Sequence, residues 1–287
     1  MHKSTAFMKY VAFSILCIFM RSSFAQNINY IDSYHKVLLE GDLQMLEHDY
    51  DSALYFYQKA FSAVPYAFCF DYLSGSWVAH KAKRDDLALT FLDSAVVRGL
   101  YIEKIPRFCF KNKAAWNAYK EYRYPELYEK GMSRHNQVLL KYVDSLLMVD
   151  QSIRGENISD DELIILSKVI DSTNLIAIQG LIDNGQIGES SLGFNASGEI
   201  FVLLLHGAFL DQELMYNLYS NGFISKRTYF YSVMRNVNDF GIPVKYSTKN
   251  SYKSSSEIDS FRLKDGLPTM KVEKKLKRIK NRYYYPI

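Results

Sequence analysis

Cysteine is scarce in this chain, three in 287 residues, and the way the three are placed excludes more than their number does. There is no C-x-x-C pair and no His and Cys at zinc-ligand spacing, which argues against a structural metal site. Cys17 lies in an N-terminal apolar stretch, while the other two sit in one and the same tripeptide, Phe68-Cys69-Phe70 and Phe108-Cys109-Phe110. An oxidising compartment would permit a disulfide between them; the flanking phenylalanines favour two small apolar thiols buried in a core. Catalytic signatures are missing too. The chain has no G-x-S-x-G, no phosphate loop, no H-E-x-x-H and no G-x-G-x-x-G behind a strand, so neither a cofactor nor a metal is implied. Beyond the N-terminus no apolar run approaches the roughly 20 residues of a bilayer-spanning helix.

What the N-terminus does hold is Lys3 and Lys9, an apolar stretch from Tyr10 to Met20, and Ser23-Phe24-Ala25 with small residues where a signal peptidase cuts. Residues 1–25 therefore read as a secretory signal peptide, and the mature protein is expected to be exported, periplasmic or extracellular, with no transmembrane segment after cleavage. Cleavage would remove Lys3, Lys9 and Arg21 and no acid, so the formal charge falls from +4 to +1. The remaining basic character is concentrated in residues 271–287, with seven Lys or Arg against one Glu, while residues 26–270 carry 25 positive and 30 negative side chains. A basic tail on an acidic body can meet nucleic acid or an anionic surface. The plainer reading is a solvated terminal helix, and for an exported protein no nucleic acid is expected.

About 260 mature residues suggest two domains, and a hydrophobic content of 48% supports packed structure. The first of them repeats. From Ser33 the chain reads SYHKVLLEGDLQMLEHDYDSALYFYQKAFSAVP, in which Gly41, Ala53, Tyr57, Ala60 and Pro65 carry the pattern. Small residues let two antiparallel helices approach, an aromatic fills the gap beside them, and Pro ends the second helix. Ala88, Leu92 and Ala95 repeat Ala53, Tyr57 and Ala60 at a shift of 35 residues. This segment resembles tetratricopeptide repeats, which implies a groove for a peptide, a protein, or another part of the same chain. Tyr34, His35 and His80 are the expected groove side chains. The aromatic-rich stretch after Ile102, with Pro125 near its end, is expected to cap the stack.

Past Gly131 a second set of helices is expected. Residues 135–155 have apolar side chains at helical spacing, with Asp150 and Arg154 on one face. Ser159 opens a capping box before LIILSKVI, STNLIAIQGLIDNG reads as another helix closed by Gly185, and GFNASGE reads as a loop. EIFVLLLHGAF, residues 199–209, is a buried strand or a buried helix by pattern alone; its helical surroundings favour the helix. Asp211 caps the next helix and Ser225 another that ends at Gly241. Residues 141–248 are similar to an uncharacterised domain family of exported bacterial proteins. The similarity is carried by Asp150-Gln151-x-x-Arg154, Asp171-x-x-Asn174, LLLHGAF with His206, and GIPVKYST with Gly241, Tyr246 and Thr248. Here Gly185-Gln186-Ile187 replaces that family's Gly-Trp-Pro, and Leu205 and Ala208 replace a Gln and an acid beside the histidine.

These readings give a mainly α protein: residues 26–130 a tetratricopeptide-like stack, 131–250 an all-helical domain, and 251–287 a polar linker and basic tail. Two functions follow. The first is an exported interaction or scaffold protein of the bacterial cell envelope that holds a protein or peptide in the repeats. The other is an envelope hydrolase using His206 with Asp150 or Asp211 and with Arg154 nearby. The plain counterpart of the second is an i,i+4 ion pair between Asp150 and Arg154 and a packed His206 at a helix end.

Overall fold

A computed structural model describes residues 28–155, 159–206, 212–230, 232 and 254–284. Among them are twelve α-helices and no strand, so the protein is mainly α. The signal-peptide reading, Asp211 and the segment from Gly241 to Thr248 lie outside the described residues.

The first half begins with a π turn, Ile31–His35, that runs into α1 (Lys36–Leu46). α1 pairs with α2 (Tyr50–Ala63), and α3 (Cys69–Lys81) pairs with α4 (Asp85–Val97). Each hairpin turns on a non-glycine residue in the left-handed region, His48 at φ 63° and Lys83 at φ 58°, again 35 positions apart. Asp49 starts α2 by accepting from the Ser52 N–H at 3.0 Å. The small residues fill their assigned places: Ala53, Ala60, Ala88 and Ala95 are fully buried. A Cβ on Gly41 would lie 2.8 Å from the Tyr57 ring, so α1 and α2 touch where only glycine fits. Pro65 follows the end of α2, as its missing N–H requires.

α5 (Lys113–Ala118), a π turn at Tyr119–Arg123 and α6 (Tyr124–Met132) run on continuously, and Pro125 comes directly after the π turn, in the first turn of α6. α6 packs against α4 and covers its open face with Leu127, while Tyr119 joins Leu92, Ala95 and Val96 in the same cluster. The approach is close: a Cβ on Gly131 would stand 2.0 Å from the Val97 carbonyl oxygen.

In the second half α7 (Gln137–Gly155), α8 (Asp160–Asp183) and α9 (Glu189–His206) pack on one another. Two expected helices merge into α8, because nothing between Ile170 and Leu175 breaks a helix; Ser159 caps it and Gly185, at φ 63°, follows its end. The apolar run ending at His206 is helical. The expected loop at residues 193–199 is not one: only Gly193 (φ 73°, ψ 172°) leaves helical geometry, kinking α9 where a Cβ would crowd His135. α8 is also long and apolar enough, by length and composition, to cross a bilayer. Its Asn174, Ile178 and Leu181 nonetheless face the protein core.

α10 (Gln212–Ser220), α11 (Ser255–Lys264) and α12 (Met270–Tyr284) follow. The polar linker expected at residues 251–287 is corrected by α11 and α12, which are built into the fold. Ile258 and Leu267 are buried, the Arg262 guanidinium donates to the Pro268 carbonyl and pairs with Glu273, and Leu276 enters the N-terminal core. The halves are joined likewise. Ile31 belongs to the core of the second half, and Tyr219 of α10 stacks on His35 at 4.2 Å.

Candidate functional site

Four polar residues of the second half, Asp150, Arg154, Asp171 and His206, converge in space. Asp150 and Arg154, one turn apart near the end of α7, meet His206 at the end of α9 and Asp171 in the middle of α8. His206 Nδ1 lies 2.8 Å from Asp150 Oδ2. Arg154 bonds both Asp150 oxygens, at 3.2 and 3.3 Å, and donates to Asp171 at 2.8 Å. Gln151 Nε2 adds a bond of 2.6 Å to Asp150. The Asp150 carboxylate, which has no exposed surface, thus ties α7 to α9, and Arg154 extends the network to α8, while the His206 side chain stays 21% exposed.

Electrostatics follow from the donors. Burial alone would raise the Asp150 pKa, but the hydrogen bonds from Arg154, His206 and Gln151 together outweigh it and hold the acid below its ordinary value. Asp171 moves the other way. Its burial dominates and its carboxyl is raised despite Arg154 beside it. Asp150 is therefore ionised near neutrality and can only accept, so the Nδ1 of neutral His206 carries the hydrogen and the lone pair is left on Nε2. No described residue bonds that nitrogen. This is the arrangement of an oriented general base. One turn beyond Asp171, Asn174 is buried and its Nδ2 has no acceptor. Among the described residues no group of three His, Cys, Asp or Glu is placed to hold a metal ion.

The expected groove residues fare differently. Tyr34 and His35 have no exposed surface, so neither is offered to a ligand. The Tyr34 hydroxyl donates to Asp71 and accepts from the Phe68 N–H. His35 lies against Phe68 and Tyr219, with neither ring nitrogen hydrogen-bonded, and burial holds its pKa well below the usual histidine value. The physical reason is that the chain fills this surface itself: Lys226 reaches Asp42 at 3.1 Å and Arg227 lies 4.7 Å over the Phe70 ring. His80 does remain partly exposed, bonded to Asp85 at 3.0 Å. Cys69 and Cys109 are free and buried, with both thiols pushed up by burial.

A group that sequence reasoning passed over lies at the same joint. α3 begins after Phe68, which has no side chain able to cap it. Glu189, at the start of α9, supplies the missing acceptor from 120 residues away and takes the Cys69 N–H at 2.9 Å. It is enclosed, and burial raises its carboxyl to about 8. No local signal marks it, because a Glu in the first turn of a helix is ordinary.

Comparison with protein families, characterised proteins and solved structures finds no match to this chain.

Proposed function

We propose that this protein is an exported hydrolase of the bacterial cell envelope in which His206, oriented by Asp150, activates a water molecule. The observation that carries the reading is the 2.8 Å bond that Nδ1 of a partly exposed imidazole donates to a fully buried carboxylate, which leaves the Nε2 lone pair as the base. Asp150 sets the tautomer and stabilises the imidazolium formed when His206 takes a proton from water. Arg154 and Gln151 hold Asp150 in place, and Asp171 anchors Arg154 from α8. The other features serve position: α1 to α6 form a platform on which the second half is seated. Export rests on the lysines, apolar stretch and small residues of the N-terminus.

The test is a screen of the mature protein against ester, amide and glycan substrates, with His206→Gln and Asp150→Asn beside the wild type. The expected result is an activity that each substitution lowers by about 100-fold or more, with the helical content unchanged. Activity that persists in His206→Gln, or none in the wild type, rejects the hydrolase.

A second reading, protein binding, draws on a separate observation. Ile164, Ile165, Val169 and Ile176 of α8 and Val138, Met148 and Val149 of α7 are each more than half exposed. So much outward aliphatic surface on two adjoining helices suits a protein-contact role. Under this reading the scaffold works through α7 and α8, since the inner surface of residues 26–130 is filled by the chain itself. Retention of a partner by the wild type, and its loss on Ile165→Lys with Ile176→Lys, is the expected result; equal retention rejects it.

A further inference from the structure

α12 divides into two faces of opposite chemistry. Val272, Leu276 and Ile279, at i, i+4 and i+7, pack into the N-terminal core beside α1. Glu273, the only acid in residues 271–287, turns inward to the buried Arg262 and is used there. What faces outward is Lys271, Lys274, Lys275, Lys277 and Arg278, all exposed. None of the five has an ion-pair partner among the described residues. The rest of the mature chain has the opposite balance, 30 acids against 25 Lys and Arg in residues 26–270. Acid is in excess, yet no described carboxylate reaches this ridge.

We propose that the cationic face of α12 is a peripheral docking surface for a layer of anionic phospholipid headgroups. Three features select that partner. The apolar face of the helix is committed to the protein core, so α12 cannot insert as a free amphipathic helix does and offers charge alone. Charge-only attachment is what a headgroup layer accepts from clustered Lys and Arg. The ridge runs along the outer side of a single helix, which suits a plane, and among the described residues it shows neither the groove nor the stacking platforms that single-stranded nucleic acid uses. The acidic remainder of the molecule is repelled by the same layer, which turns α12 toward it. The proposal is independent of the chemistry at His206 and rests on the export reading only in its choice of lipid over nucleic acid.

The experiment is co-sedimentation of the mature protein with vesicles of phosphatidylcholine, with and without about 30 mol% phosphatidylglycerol, at low salt and at about 0.5 M salt. One variant replaces Lys271, Lys274, Lys275, Lys277 and Arg278 with Gln. A control removes equal charge elsewhere, replacing the exposed Lys59, Lys111, Lys113, Lys120 and Lys130 with Gln. Binding is expected only to the anionic vesicles, is lost at high salt, and falls at least about 10-fold in the α12 variant while the control keeps most of it. The salt titration of the unmodified protein stands even if a variant folds poorly. Absent binding, binding that survives high salt, an equal loss in the control, or capture of duplex DNA in place of anionic vesicles would each overturn the proposal.

Discussion

Replacing Glu189 with Gln tests the joint between the halves through the pH dependence of stability. The carboxyl is enclosed at the start of α3, and burial, the largest influence, raises it from 4.5 to about 8. A group raised on folding contributes its full stability below the unfolded value and loses it as pH climbs to the folded value, because the folded protein must hold a proton that the unfolded chain releases. Each unit of that interval costs about 1.4 kcal/mol, about 5 kcal/mol over the whole of it. His35, held well below 6.5 by burial, acts in the opposite sense: the unfolded chain takes up a proton there below 6.5, so stability falls as pH falls. The two effects oppose each other from 4.5 to 6.5, and above 6.5 Glu189 acts without that compensation. Gln keeps an oxygen for the Cys69 N–H and cannot ionise. Urea unfolding of both proteins should therefore give similar stabilities at acid pH and a variant more stable by about 2 kcal/mol at pH 8 relative to pH 6.5. If the difference between wild type and variant does not change between these pH values, Glu189 is not a neutral buried acid and the reasoning fails.

Other substitutions probe the remaining structure. Asp150→Ala should cost about 2 kcal/mol near neutrality by removing the acceptor of three side chains. Because the Asp150 carboxyl is held low when folded, that deficit should shrink as pH drops below 3.8, its ordinary value; a deficit unchanged in acid would contradict the assignment. Lys226→Met should destabilise by about 3 kcal/mol, since Asp42 is left buried without its cation. Adding Asp42→Asn should return part of the loss in a double-mutant cycle, whereas simple additivity would argue against the pair. Gly131→Ala drives a Cβ into the Val97 carbonyl and should cost more than about 3 kcal/mol or prevent folding. Gly180→Ala, with nothing within 4 Å of the new carbon, should stabilise α8 by about 0.5–1 kcal/mol. Unfolding midpoints that rank the two alike would show that helix packing at α4 and α6 is misread.

The sites differ in how legible they were. Asp150 and Arg154 are four residues apart on one helix, so their pairing follows from helical geometry. His206 stands out as a lone imidazole ending an apolar run, but the carboxylate that meets it is 56 residues upstream, while Asp211 is much the nearer candidate along the chain. Tyr34 and His35 were misplaced for a related reason. A repeat pattern tells which residues face inward from a hairpin stack, and says nothing of what occupies the inner surface. Glu189 and Lys226 were invisible because each is an unremarkable surface residue type until another half of the chain encloses it. The two helices expected within Asp160–Asp183 form one, α8, because no Gly or Pro interrupts the run between them.

Sequence alone determined the helical class, the positions where small residues let α1 meet α2 and α3 meet α4, and the cap at Ser159. These depend on interactions within a few turns of chain, where spacing and residue size decide the outcome. Tertiary structure alone decided that the halves share their cores, that the inner face of the hairpins is occupied by Tyr219 and Lys226, and that His206 finds Asp150. Such pairings close loops of many residues, and their energy comes from desolvating charges and rings against surfaces that no local pattern specifies.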